Sequence, residues 1–332
     1  MANVLNLIGA PDNNSATVML NRGNVRDSLM RFEGNNALVK TINTQITVQN
    51  VVLGGKIPKE IKIQKPLLIL NSICNPDSNA KTLKIAREIV KNMNIPTINQ
   101  PELVMKTRKD QLYVLLGKLE GASIPKTIRM APKRLLDIEI AIKEGIIDYP
   151  FVFQPADSQA RSDICLIRSA DQLHDLERFA FDGRDYYVSE FVDHRSAEGL
   201  YRRYRVLMID GKPYPGNMMI SQEWVADAGS MWKLMENDPA LRDEEKAFLQ
   251  QGDALLNALC EQIYTILPLD YFVVEFGFDT QKKPLILEVS SCVWTVGPQT
   301  ESEAFDYRKQ KSTEIKEALS NMIHKRLKSQ AY

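Results

Sequence analysis

The stretch LDYFVVEFGFDTQKKPLILEVSS, residues 269–291, reads as an antiparallel hairpin, with two alternating runs flanking the polar turn Asp279-Thr280-Gln281-Lys282-Lys283. Side chains alternate across a strand, so Val274, Phe276 and Phe278 share one face, and Val273, Glu275 and Gly277 the other. On the second run Leu285, Leu287 and Val289 share a face, opposite Ile286, Glu288 and Ser290. If Phe278 pairs with Leu285, Glu275 stands directly across from Glu288. Like charges opposed across a ladder destabilise it unless a cation lies between them. Mg²⁺ binds through one or two carboxylates together with substrate phosphates, so the pair is a candidate Mg²⁺ site. Two glutamates on the wet face of a half-exposed sheet would give the same pattern, and the hairpin alone leaves both readings open.

Around the hairpin lie 332 residues, enough for about two domains with ample core. Apolar content of 44% and charged content of 25% are ordinary for a soluble globular protein. Lys and Arg number 42 and so do Asp and Glu, so no global field recruits nucleic acid or anionic lipid. Cys74, Cys165, Cys260 and Cys292 are widely spaced, with no CxxC pair and no His at metal-ligand spacing. That argues for reduced thiols and against structural zinc. The opening MANVLNLIGAPDNN has no basic segment ahead of a signal-like apolar run, and no apolar run approaches the ~20 residues of a membrane span. A cytoplasmic protein is expected, with neither nucleic acid nor membrane as partner.

In chain order, a strand is expected at residues 4–8, ending in Gly9-Ala10-Pro11, then a weakly patterned helix at 25–32 and strands at 45–53 and 66–71. Asn79 is placed to cap a helix over 80–93, where Leu83, Ile85, Ala86, Ile89, Val90 and Met93 form an apolar face, and 95–99 is a short strand. Strand–helix alternation of this kind indicates a parallel α/β layer. A boundary falls near Pro101. Thr107 and Asp110 have the spacing of a variant capping box opening a helix through Leu119. Strands at 124–130, 150–155, 163–168 and 186–192 alternate with helices at 133–144 and 170–181, the latter capped by Ser169. Strands at 201–209 and 213–221 meet at Asp210-Gly211, a strong hairpin signal. One long helix, about 244–267, leads into the 269–291 hairpin, and a last helix covers about 301–327. After the first layer the pattern is α+β.

In this order of pieces the chain resembles the ATP-grasp superfamily, on its glutathione-synthetase-like and RimK-like side. The segments that carry the resemblance are PTINQPELVMKTRKDQLYVLL, IPKTIRM, PFVFQPADSQARSDICLI, YYVSEFVDHRSAEGLYRRYRVLMIDGKPYP and the hairpin already quoted. They cover about two thirds of the chain in linear order. The resemblance implies an α+β ATP-grasp fold, two α+β subdomains clamping a nucleotide, preceded by an α/β preATP-grasp domain. On this chain those are residues 1–100 and 101–332, the latter dividing into 101–192, with a flexible loop at 156–162, and 193–332, with the metal-site hairpin. It implies ATP and Mg²⁺, and a ligase that activates a carboxylate as an acyl phosphate and passes it to an amine, releasing ADP and phosphate. Carboxylate and amine substrates, small molecules or peptides, are then the partners, and a homodimer is left open.

The resemblance also assigns residues. Glu190, Phe191 and Val192 match the segment that meets adenine, with Asp193 as ribose ligand. Arg205 matches the phosphate-contacting cation, a task suited to a bidentate guanidinium fork. Arg129, with Lys133 as second candidate, matches a cation on the triphosphate. Glu275, Glu288 and Ser290 match the metal ligands. Three positions depart from the family pattern. Gln154 stands where a Lys or Arg precedes Pro155, so a donor is present without its charge. The loop Ala156-Asp157-Ser158-Gln159-Ala160-Arg161-Ser162-Asp163 has no glycine to let backbone N–H groups approach phosphate, and Arg161, its one cation, is the candidate to replace the missing charge on the phosphates. Ser290 puts a hydroxyl where an amide is usual. Two readings follow: a ligase with a modified phosphate site, and a degenerate ATP-grasp protein acting as a nucleotide-binding scaffold. Residues 217–232 and 292–304, with Trp224, Trp232 and Trp294, border the site as candidate substrate walls.

Overall fold

In the computed structural model the first apolar run is strand β1 (Asn3–Gly9), and the structure describes residues 3–21, 24–38, 46–55, 63–157, 163–225, 228–293 and 302–329. Strands β2 (Thr17–Asn21) and β3 (Asn24–Arg31) form an antiparallel ribbon. The helix expected at 25–32 is therefore a strand. A short, weakly patterned segment gains little from an isolated helix, whereas pairing gives its backbone a ready partner. Next come β4 (Thr47–Leu53), β5 (Leu68–Asn71), helix α1 (Ala80–Met93) and β6 (Thr97–Ile98). The sheet order is β4-β1-β5-β6, all parallel, as the alternation of elements requires. Asn79 occupies the N-cap of α1 without capping it. Its Nδ2 donates to the Gly9 carbonyl at 3.1 Å, tying the helix to the end of β1 instead.

Helices α2 (Pro101–Met105) and α3 (Lys109–Leu116) lead out of this layer. The expected capping box does not form: Thr107 Oγ1 donates backward to the Val104 carbonyl at 2.8 Å, and Asp110 pairs with Arg108 at 2.9 Å. A second sheet follows, from β7 (Thr127–Met130), helix α4 (Leu135–Lys143), β8 (Phe151–Pro155), β9 (Cys165–Ile167) and β10 (Tyr186–Glu190), in the antiparallel order β7-β10-β8-β9. It has its own core, in which Phe153 stacks on Tyr186 with ring centroids 4.5 Å apart. The α-helix expected over 170–181 is a 3-10 helix at Ala170–Arg178; it buries Leu176, too small an apolar face to hold an α-helix. Ser169 precedes it without a side-chain cap.

The third sheet comprises β11 (Tyr201–Ile209), β12 (Lys212–Ser221), β13 (Tyr271–Phe278) and β14 (Pro284–Ser290), in the antiparallel order β12-β11-β13-β14. Asp210 (φ 49°) and Gly211 (φ 76°) make the left-handed turn that joins β11 to β12. Between β12 and β13 lie α5 (Ala228–Asn237), α6 (Pro239–Gln251) and α7 (Ala254–Ile266), and α8 (Arg308–Lys328) closes the fold. The single helix expected over 244–267 is thus two. Gly252, at φ 68° and ψ −165°, turns the chain out of α6, and Asp253 caps α7 by accepting from the Leu256 N–H at 3.0 Å.

Alternation explains what the third sheet does with each face. Val206, Met218, Val274, Phe276, Ile286 and Val289 are buried with α6 and α7 in one large core that also holds Leu5, Leu7 and α1 residues. On the other face Leu207, Ile209, Tyr271 and Val273 are buried with Val4, Leu68 and α8. That same face continues along β13 into Glu275 and Gly277, where apolar cover ends. The hairpin register differs from expectation: Phe278 pairs with Pro284 and Phe276 with Ile286, while Glu275 does face Glu288. Leu287 is the extra residue of a β-bulge, so alternation reverses across it. Ile286 therefore lies with Phe276 in the core, not with Glu288.

Candidate functional site

A second bulge lies beside the first. On β12 the register shifts between Arg205 and Val206, leaving Gly216 extra, and a Cβ there would sit 2.4 Å from Leu207 Cδ1. The two bulges bracket one transverse row across all four strands, Asn217–Arg205–Glu275–Glu288. Rows on either side, Met218–Tyr204–Phe276–Ile286 and Val206–Val274–Val289, are apolar core. Bulges re-aim side chains next to functional sites, and here they frame one polar row between two apolar ones. Arg205 Nε lies 3.2 Å from Glu275 Oε1, and Arg203 Nη1 lies 4.0 Å from Glu275 Oε2.

Glu275 and Glu288 of this row line a cleft of about 380 Å³ between the second and third sheets. From the second sheet come Thr127, Gln154, Tyr187 and Ser189, from the third Arg203, Glu275 and residues 285–290, and from the first layer's loop Cys74 to Asp77. Of the residues expected at the site, Gln154, Glu190, Phe191, Val192, Glu275, Glu288 and Ser290 line the cleft together. Arg205 stands behind Glu275 as its ion-pair partner. Like Arg205, three others do not line it. Arg129 on β7 pairs with Asp77 and Asp185, each at 2.6 Å. Lys133 is exposed beyond β7, with its backbone N–H donating to Asp137 at 2.8 Å. Asp193 is engaged by Arg195 at 2.8 Å. Arg161 and Trp294 lie outside the described residues.

Glu288 shows the electrostatic tension that the sequence suggested. Burial, and next the Glu275 charge, raise its carboxyl above the ordinary value, against the pull of Lys109, Arg205 and Arg203. Among the described residues no three His, Cys, Asp or Glu side chains gather for a metal, so a cation here would rest on two carboxylates, Ser290 and ligand oxygens.

Sequence reasoning missed several cleft residues. Lys109, at the start of α3, donates Nζ to Gln154 Oε1 at 3.1 Å and lines the same wall. Nothing in KTRKDQ marks it, because its place depends on where α3 sits beneath the hairpin. There Ser123 bridges to β14, its N–H donating to the Pro284 carbonyl at 2.8 Å. Asp77, whose carboxyl burial raises despite Tyr187, Arg129 and Arg108, links the first-layer loop to the second sheet through Tyr187 at 2.8 Å. His194, which follows the segment expected to meet the base, is 5% exposed. Its ring rests on Gly277, where a Cβ would lie 3.0 Å from Cδ2. Nδ1 lies 3.2 Å from the Val192 carbonyl, which can only accept, so Nδ1 carries the proton and Nε2 is a buried acceptor without a partner. Burial holds its pKa below the ordinary value, so the ring is neutral.

No family model matches the chain, and no curated protein matches it. Solved structures do. The chain is similar to the RimK domain ATP-grasp protein from Sphaerobacter thermophilus, at 13% identity over 96% of this chain and 98% of that one, with a TM-score of 0.50. It has the ATP-grasp fold. The VanG D-Ala:D-Ser ligase from Enterococcus faecalis is similar over 97% of this chain and 98% of its own, at 13% identity and a TM-score of 0.57. D-alanine–D-alanine ligase from Bacillus anthracis, complexed with ATP, is similar over 96% of this chain and 99% of its own, at 11% identity and a TM-score of 0.50. The likeness runs over nearly the whole chain. Among the described residues no helix is long and apolar enough to cross a membrane.

Proposed function

We propose that this chain is an ATP-dependent carboxylate–amine ligase, forming a peptide-type bond through an acyl phosphate and releasing ADP and phosphate. The observation that carries the reading is the row Asn217–Arg205–Glu275–Glu288, framed by two bulges, whose Glu275 and Glu288 line the cleft with Arg205 paired behind them. Two like-charged carboxylates on that wall, one with a raised pKa, are what a divalent cation would relieve. Glu275, Glu288 and Ser290 would hold Mg²⁺, which would supply positive charge against the negative charge of the phosphates. Glu190, Phe191 and Val192 are assigned to the base. Gln154 lacks the charge expected at its position, and Lys109, hydrogen-bonded to it, supplies that charge from a different element. Arg205, oriented by Glu275, and Arg203 stabilise negative charge that builds on phosphate as the substrate carboxylate attacks in line. ADP leaves, and the amine then displaces phosphate from the acyl group. Among the structures it is similar to are two D-Ala ligases, one complexed with ATP. Residues 1–100 and 101–332 are the corresponding preATP-grasp and ATP-grasp domains in this reading.

A nucleotide-binding scaffold without turnover is favoured by one observation. Arg129, matched to the triphosphate, is already neutralised by two carboxylates. The test is ADP release by the full chain with ATP, Mg²⁺ and a panel of amino acids and dipeptides. The ligase reading expects release that requires Mg²⁺, rises when carboxylate and amine are both present, and drops at least about 100-fold in Glu288→Gln. A melting temperature raised by ATP·Mg²⁺ with no ADP release across the panel selects the scaffold, and no shift at all removes both.

A further inference from the structure

Four cysteines scattered through the sequence do not stay scattered in the fold. Cys165 lies in the core of the second sheet and Cys260 in the core under α7. Cys74 and Cys292, 218 positions apart, meet with their sulfurs 2.6 Å apart. Cys74 lies in the loop after β5, and Cys292 follows β14 two residues beyond Ser290. Both are buried, at 1% and 6% exposure, and both line the cleft.

The backbones that carry them are fixed without help from sulfur. Ser291 Oγ donates to the Cys74 carbonyl at 3.0 Å. Asn36 Nδ2 donates to the Ser291 carbonyl at 2.7 Å, and the Val293 N–H donates to Asn36 Oδ1 at 2.8 Å. The two thiols are thus held side by side by contacts that are not their own. Burial, and next the hydrogen bond and charge of Cys292, push the Cys74 thiol well above its ordinary range, so it is a poor initiator.

We infer that Cys74 and Cys292 are a disulfide-forming pair that staples the first-layer loop to the strand carrying Glu288 and Ser290. The oxidant is a small disulfide entering through the cleft. Cys292, the more exposed of the two, attacks it first, giving a mixed disulfide and one released thiol. Cys74 then displaces the second thiol. Two protein S–H groups become one S–S bond, the oxidant is reduced to two thiols, and both protons leave with them. The loop so tied carries Asp77, which holds Arg129 and Tyr187, so oxidation fixes one wall of the cleft relative to another. This goes beyond the proposed function and does not depend on it.

The experiment uses the full chain equilibrated with oxidised and reduced glutathione at several ratios, quenched, alkylated under denaturing conditions and mapped by peptide mass. Two of the four thiols are expected to escape alkylation in oxidised protein, in one linked peptide containing Cys74 and Cys292 and without bound glutathione. Melting temperature rises by roughly 5 °C or more on oxidation and falls back with reductant. Cys74→Ser traps glutathione on Cys292 and shows no rise. Full alkylation of all four thiols after oxidation, or a linkage involving Cys165 or Cys260, overturns the inference. The mapping on unaltered protein decides this even if a serine variant fails to fold.

Discussion

Glu288 joins the electrostatics of the site to the stability of the fold. Its folded-state pKa is raised by burial and by Glu275, so the folded protein holds that proton more tightly than the unfolded chain. The stability so gained is present below the ordinary carboxyl range and is lost as pH rises through the raised value. Glu288→Gln is neutral throughout, so without nucleotide or metal it should match wild type in acid and become the more stable protein as pH rises. Urea unfolding from about pH 4 to 8 measures the difference, and a gap that narrows with rising pH would refute this origin. Lys109 gives a second prediction. Removing its charge in Lys109→Met should weaken ATP binding by roughly 10–100-fold, as expected for a lost hydrogen bond to a charged group, and Gln154→Lys should restore it. Failure of the second change to rescue would separate Lys109 from the task assigned to Gln154's position. The acidic pair was legible because alternation and a turn suffice to bring two glutamates level. Lys109 and His194 were not, since a helix start and a linker residue reach the cleft through packing that no local pattern encodes.

At the scale of elements, long strands and α1 were legible because burial on one face imposes a period. The errors fell where a single residue overrides that period. Gly252 split one expected helix into two, and Leu287 reversed the faces of β14. Gly252 has a backbone conformation that side chains resist, and an added Cβ would also lie 3.3 Å from Asn257 Nδ2. Gly252→Ala should therefore cost about 1–3 kcal/mol in chemical unfolding, with activity per folded molecule retained. A neutral result would mean that α6 and α7 can fuse into the continuous helix the sequence suggests. Phe278 was expected opposite Leu285, a register that also aligns Glu275 with Glu288; the bulge reaches the same alignment by a different path.

At the scale of the molecule, three layers are tied by buried polar contacts as well as by apolar cores. Arg308 at the start of α8 lies over the Trp232 ring at 4.4 Å and pairs with the fully buried Glu245 of α6 at 2.5 Å. Arg308→Ala leaves Glu245 without its charge partner and should destabilise by about 3–5 kcal/mol, while Arg308→Ala combined with Glu245→Gln should recover part of that loss. Equal destabilisation in the single and double variants would show that lost stacking, not the orphaned charge, sets the cost. Neither partner was singled out in the sequence, because the contact spans 63 positions and joins two helices of separate patterns. The first and third layers share their interior, whereas the second sheet keeps a private one. The cleft runs along that seam. Cooperativity should divide there too: amide exchange would release the second sheet as one foldon and the rest as another, and a ligand gripping both walls would fuse two foldons into one.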